Sequence, residues 1–104
     1  MDGLVEDMRL LCPDPDSFST EIRKRAENIL EVNFCVLDQE EFNRKAQAYE
    51  VVLVRFNTRV RSEVMGKTSK LRAIVSPTTG VDHIDLALAN KRGISVFHLQ
   101  GQTR

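Results

Sequence analysis

The residue types best suited to chemistry lie together near the end of the chain: Ser76-Pro77-Thr78-Thr79-Gly80, followed by Asp82-His83-Ile84-Asp85. Small residues around a glycine leave backbone N–H groups uncovered, and such groups can cradle an anion. The Ser76 to Gly80 loop is open to two readings from its residues, an anion-binding turn and a plain strand-to-helix turn. Arg55, followed by Phe56 and Asn57, is a second candidate. A guanidinium is a planar fork that suits an acidic group, although an arginine facing water at a strand end has the same sequence. Asp82, His83 and Asp85 have the composition of a metal or acid–base cluster, a disfavoured reading, and Asp85 also suits a helix N-cap. Cys12 and Cys35 sit in apolar runs with no Cys or His at ligand spacing, so they read as small buried strand residues. Neither a disulfide nor a metal site is expected. His98 reads as an ordinary residue just past the last strand.

The elements that must position these residues alternate strand and helix. Met8 to Cys12, apolar apart from Arg9, is of strand length and reads as the first strand. Phe18, Ile22, Ala26, Ile29 and Leu30 fall at helical spacing, which predicts an amphipathic helix over 18–31. Val32 to Leu37 reads as the second strand. Asp38 caps a helix running to about Ala48, with Glu40 and Glu41 in its first turn, where the dipole favours them. Val51 to Arg55 is almost continuously apolar at its start, as a central strand buried on both faces requires. Arg61 to Met65 reads as a short helix ending at Gly66. Leu71 to Val75 is the fourth strand, ended by Pro77. Asp85 caps a helix that stops at Gly93, and Ile94 to Phe97 returns as the fifth strand. Strands alternating with helices imply a parallel sheet. The expected fold is α/β, a flavodoxin-like three-layer αβα domain with strand order 2-1-3-4-5. Ligands of such sheets bind beyond the carboxyl ends of the strands. Here those ends carry the loops Pro13 to Ser17, Arg55 to Thr58, and Ser76 to Gly80.

Composition bounds the partners. The chain has 104 residues, one domain's worth, and 41% are hydrophobic. Fifteen basic and fifteen acidic residues give zero net charge, so no nucleic-acid partner is implied. Arg23-Lys24-Arg25 reads as a solvated helix face, and Arg59 and Arg61 as exposed. No apolar run approaches the ~20 residues of a membrane span. The polar start Met1-Asp2-Gly3 fits a cytoplasmic protein.

From Leu71 onward the chain resembles the D-isomer-specific 2-hydroxyacid dehydrogenase family. The resemblance rests on Leu71, Ile74, Gly80, Asp82, His83, Ile84, Asp85, Leu86, Ala89, Arg92, Gly93, Ile94 and Val96, at the family's internal spacing. The looser run Val51 to Arg55, then Thr58, Val60, Glu63 and Val64, also fits. It extends over about residues 7 to 101. The resemblance implies an NAD(P)-dependent oxidoreductase acting on 2-hydroxy or 2-oxo acids, of the kind that includes D-3-phosphoglycerate dehydrogenases. Residues 1–104 would be the N-terminal part of its substrate-binding domain. It further implies that the amides of Thr78, Thr79 and Gly80 hold the substrate carboxylate, and that Arg55, Phe56 and Asn57 line the cleft. Thr78 stands where the family has its first loop glycine, with Pro77 before it. That departure adds hydroxyls and stiffness and points to an uncommon substrate.

The family's catalytic arginine, glutamate and histidine lie beyond this stretch, and no G-x-G-x-x-G occurs among Gly3, Gly66, Gly80, Gly93 and Gly101. The nucleotide-binding domain is thus absent from the chain. NAD or NADP would belong to the longer parent protein, with no cofactor, metal or catalytic residue here and no activity for the chain alone. A non-catalytic interaction module, co-repressor-like or truncated, is the alternative. A receiver domain is disfavoured because Arg55 ends the strand where a phosphate-accepting aspartate belongs. A flavin carrier is disfavoured because Pro13 to Ser17 lacks a hydroxyl-rich phosphate cradle. An isolated substrate-domain segment should leave apolar surface bare, so self-association into a homodimer is expected.

Overall fold

In the computed structural model, which describes residues 8–66 and 69–98, the chain forms one five-stranded sheet. The order is β1 (Arg9–Cys12), α1 (Thr20–Ile29), β2 (Glu31–Phe34), α2 (Gln39–Lys45), β3 (Val51–Leu53), β4 (Ala73–Ser76), α3 (Leu86–Lys91) and β5 (Ser95–His98). Every strand pair is parallel, and the spatial order is β2-β1-β3-β4-β5. This is the 2-1-3-4-5 order expected from the sequence, with its switch point between β1 and β3.

Period-two alternation divides the sheet residues between two cores. Asn33, Leu11, Val52, Ile74 and Val96 are register partners across the five strands. Leu11, Val52 and Ile74 are fully buried in one core with Phe42 and Ala46 from the α2 region, Ala89 of α3, and Val54, Val60, Val64 and Met65 of the β3–β4 connection. On the other face Leu10, Cys12, Val51 and Leu53 form a smaller core with Phe18. Leu30, Ala73 and Val75 are only partly buried against it.

The caps follow from the sequence. Asp38 and Glu41 form a reciprocal capping box at α2, and the Asp85 carboxylate accepts from the Leu88 amide at 3.0 Å. At the end of α3, Gly93 adopts φ +71°. Its amide reaches the Asn90 carbonyl at 3.1 Å, and the Ile94 amide reaches the Ala89 carbonyl at 2.8 Å. That pair of bonds is a Schellman motif, which needs a left-handed residue at the glycine position.

Four expectations are corrected. Arg61 to Met65 is a turn and not a helix, in which the Val64 and Met65 amides both share the Arg61 carbonyl. Val60 just before it is tied to Ile84 in an isolated bridge, which fixes the chain as extended there. The expected helix to Ala48 tightens into a 3-10 turn over Ala46–Ala48. The helix expected over 18–31 spans only Thr20–Ile29 and buries none of its residues. Ile22 and Ile29 are 41% and 65% exposed, so its apolar spacing does not translate into a packed face. Cys35 lies just past β2 and is only partly buried, whereas Cys12 is buried in β1.

Candidate functional site

Three loops leave the carboxyl ends of β1, β3 and β4, which are neighbours in the sheet, and the structure joins them into one rim. The β3 loop is the link. Asn57 donates its side-chain N–H to Asp14 Oδ2 of the β1 loop at 2.5 Å. Phe56 reaches the other way: its ring meets His83 edge-on with centroids 5.5 Å apart. A Cβ placed on Gly80 would stand 3.6 Å from Phe56 Cε1. The candidate residues Arg55, Phe56, Asn57, Thr78, Thr79 and Gly80 therefore occupy one continuous edge.

The Ser76 to Gly80 loop is shaped by its proline. The Thr78 amide donates to the Ser76 carbonyl at 2.7 Å, a three-residue turn centred on Pro77. An inverse γ-turn wants φ near −75° at its centre, and proline supplies almost that value. The amides of Thr79, Gly80 and Val81 then follow in succession. None has an acceptor among the described residues. Gly80 has neither a positive φ nor a crowded Cβ position, so the fold does not itself require glycine there. Thr79 is exposed and Gly80 half-buried, whereas Thr78 is buried. The Thr78 hydroxyl turns inward and donates to the Gly80 carbonyl at 2.7 Å. The extra hydroxyl that set this loop apart in the sequence thus serves the loop's own structure.

Sequence reasoning missed the contacts behind this loop. Ser76 Oγ, fully buried, lies 3.1 Å from Thr78 Oγ1 and 2.8 Å from His83 Nε2. His83 is 5% exposed, and its backbone carbonyl accepts from the Val60 amide at 2.8 Å. Burial pushes its pKa below the ordinary 6.5, against the opposing pull of Asp82. Asp82 is exposed and Asp85 caps α3, so the three residues do not converge. Among the described residues, no three His, Cys, Asp or Glu side chains gather as metal ligands would.

Electrostatically the rim sets the Arg55 guanidinium against the Asp14 and Asp16 carboxylates. The strand expected to reach Arg55 stops at Leu53, and Arg55 stands half-buried in the loop two residues beyond it. Asp14 accepts from Ser17 and Asn57, and these bonds first, then the Arg55 charge, hold its carboxyl below the usual 3.8. Beneath the rim, burial pushes the Cys12 thiol up to about 11. A separate hollow of about 300 Å³ opens at the opposite end of the sheet, lined by Arg9, Glu31, Val32, Asn33 and Tyr49. Three of its polar side chains are already engaged. Arg9 donates to the Ala48 carbonyl and stacks 4.6 Å above the Tyr49 ring, whose hydroxyl takes the Asn33 amide at 2.7 Å.

The parallel sheet and its 2-1-3-4-5 order define a doubly wound α/β domain. The catalytic-domain family of D-isomer specific 2-hydroxyacid dehydrogenases matches residues 11–103, and the chain belongs to that family. It is 35% identical over 95 residues to D-3-phosphoglycerate dehydrogenase of Archaeoglobus fulgidus, covering 90% of this chain and 18% of that protein. The PH0520 protein of Pyrococcus horikoshii OT3 superimposes with a TM-score of 0.80 at 23% identity, over 91% of this chain and 28% of that one. D-lactate dehydrogenase of Aquifex aeolicus, solved with NAD and lactic acid, gives 0.70 at 24% identity, over 88% and 28%. The chain thus spans about a fifth of the length of that curated relative. No helix among the described residues is long and apolar enough to cross a membrane.

Proposed function

We propose that this chain is the N-terminal part of the substrate-binding domain of a nicotinamide-dependent oxidoreductase acting on 2-hydroxy or 2-oxo acids. The observation that carries the reading is the run of Thr79, Gly80 and Val81 amides, which lack acceptors among the described residues at the carboxyl end of β4. A carboxylate is the natural acceptor for such a run, since charge-assisted bonds to backbone N–H groups are the stronger kind. Thr78 supports the run from behind. Arg55 and Phe56 form the adjoining wall, with Asn57 holding that wall to the β1 loop through Asp14. Arg55 suits a second acidic group, and a phosphate would fit the relative that acts on D-3-phosphoglycerate.

Hydride chemistry would need residues outside this stretch, and NAD, the cofactor solved with the Aquifex relative, would be held there. What this chain supplies is orientation: a carboxylate fixed on amides holds the neighbouring carbon in one place for reaction. We further propose that the chain self-associates through the thinly covered face of its sheet.

Amide-resolved NMR titration tests the carboxylate reading. D-3-phosphoglycerate and D-lactate should each shift Thr79, Gly80 and Val81, with D-3-phosphoglycerate also moving Arg55. Sulfate serves as the control for unspecific anion binding. Shifts scattered over basic surface residues, or no shift at saturating acid, would reject the reading.

A further inference from the structure

The buried contacts behind the loop have a direction that can be worked out. A hydroxyl carries one proton. The Gly80 carbonyl only accepts, so the 2.7 Å bond takes the Thr78 proton. The 3.1 Å contact between Ser76 and Thr78 must then use the Ser76 proton. With that proton spent, Ser76 Oγ can only accept from His83 Nε2 at 2.8 Å. Nε2 therefore carries hydrogen. On a neutral ring that leaves Nδ1 as a bare lone pair, and Nδ1 is buried with no partner among the described residues. A second proton at Nδ1 would have no acceptor, so burial disfavours the imidazolium.

This direction also excludes a nucleophilic Ser–His pair. There the serine donates to the imidazole, whereas here the imidazole donates to a fully buried serine.

We infer that His83 is a positioning residue that sets the direction of the Gly80–Val81 peptide through the one-way chain His83 Nε2–H to Ser76 Oγ–H to Thr78 Oγ1–H to the Gly80 carbonyl. The peptide is trans, so its N–H points opposite to its carbonyl. Holding the Gly80 oxygen inward on Thr78 turns the Val81 N–H away from the relay. Val81 thereby becomes the third amide of the run. The histidine is well founded for this task. The Val60 amide at 2.8 Å and the Val60–Ile84 bridge fix its backbone, and Phe56 lies edge-on to its ring. The inference rests on the proposed carboxylate site only for what the Val81 amide is used for. The relay itself is a statement about the loop.

The experiment uses the whole 104-residue chain, labelled with 15N. Long-range nitrogen–proton spectra at pH 7 should show His83 protonated at Nε2 and bare at Nδ1. Ser76→Ala and Thr78→Val should move the Gly80 and Val81 amide resonances, and Thr78→Ser should restore them. His83→Gln, whose amide N–H can stand in for Nε2–H, should resemble the parent, while His83→Leu should not. Loss of one such bond should weaken D-3-phosphoglycerate binding by about threefold to tenfold in Ser76→Ala and Thr78→Val. A proton on Nδ1, or Gly80 and Val81 amides indifferent to Ser76→Ala and Thr78→Val, overturns the relay whatever the ligand does. The tautomer is read on the parent chain, so that arm stands even if a variant fails to fold. If the relay behaves as expected but the parent binds no acid, the carboxylate reading fails and the relay stands.

Discussion

At the scale of single residues, the two cysteines, Asp14 and His83 answer to thiol reagents and to acid in different ways. Cys12 is buried, and its thiol is raised to about 11, so the reactive thiolate is almost absent at neutral pH. Cys35 is partly exposed. A thiol reagent at pH 8 should therefore label Cys35 alone in the native chain and both cysteines once it is unfolded. Equal native labelling would mean that β1 opens readily. The Asp14 carboxyl is held below 3.8 by bonds from Ser17 and Asn57. The unfolded chain binds that proton more tightly than the folded one. The resulting stability is complete above the unfolded value and drains as pH falls through the folded one. Asp14→Asn should be less stable than the parent at pH 7, with the gap closing as pH drops below 3.8. His83 is depressed by burial, opposed by Asp82 and reinforced by Arg61. Its contribution is whole above 6.5 and drains as pH falls through the lowered pKa. Urea midpoints measured from pH 8 to 3 should fall in two separate windows. His83→Gln should abolish only the upper one.

At the scale of elements, the end of α3 is the clearest place to test how local sequence dictates structure. Gly93 sits at φ +71°, and a Cβ there would meet nothing within 4 Å. The cost of Gly93→Ala is therefore backbone strain alone, roughly 1–2 kcal/mol. For a chain of this size each kcal/mol lowers the melting temperature by about 4–8 °C. An unchanged melting curve would show that α3 does not need its Schellman end. This glycine was legible because Lys91-Arg92-Gly93 falls where a helix must stop before an apolar strand. Asp38 and Asp85 were legible for the same reason, as capping depends on neighbours three residues away. The strand order was legible from β–α alternation and the continuously apolar Val51 to Val54. What failed to show were features set by distant partners. Arg61 to Met65 has helical residues, yet Val60 is held extended by Ile84 far along the chain. Ser76 and His83 are seven positions apart, with a γ-turn, a loop and a second turn between them. No periodicity connects them, and only the folded path brings Oγ within 2.8 Å of Nε2. Of the site, the loops could be named in advance, but not the inward turn of Thr78 or the Asn57–Asp14 bond that closes the rim.

At the scale of the whole molecule, the two faces of the sheet are unequal. One is sealed by α2, α3 and the β3–β4 connection, with Leu11, Val52 and Ile74 fully buried. The other has a compact core over β1 and β3 that thins toward β5. There Val75 is only partly buried, and its register partner Phe97 is 53% exposed. An exposed aromatic beside a half-covered aliphatic row is a surface that gains by being covered. The charges do not oppose this, since fifteen basic and fifteen acidic residues balance and the isoelectric point lies near 6.7. Two copies meeting across this face would each bury a Phe97, and burying one phenylalanine fully is worth about 1.5–3 kcal/mol. Sedimentation should show a concentration-dependent dimer near neutral pH, and Phe97→Ser should weaken it by at least about tenfold. A dye that lights up on apolar surface should bind the dilute monomer and be released as the dimer forms. β5 is also a sheet edge, and open edges pair with one another independently of what their side chains bury. The substitution separates the two modes. A dimer that survives Phe97→Ser is joined by something other than this face, and a parent that stays monomeric at high concentration removes the self-association proposal entirely.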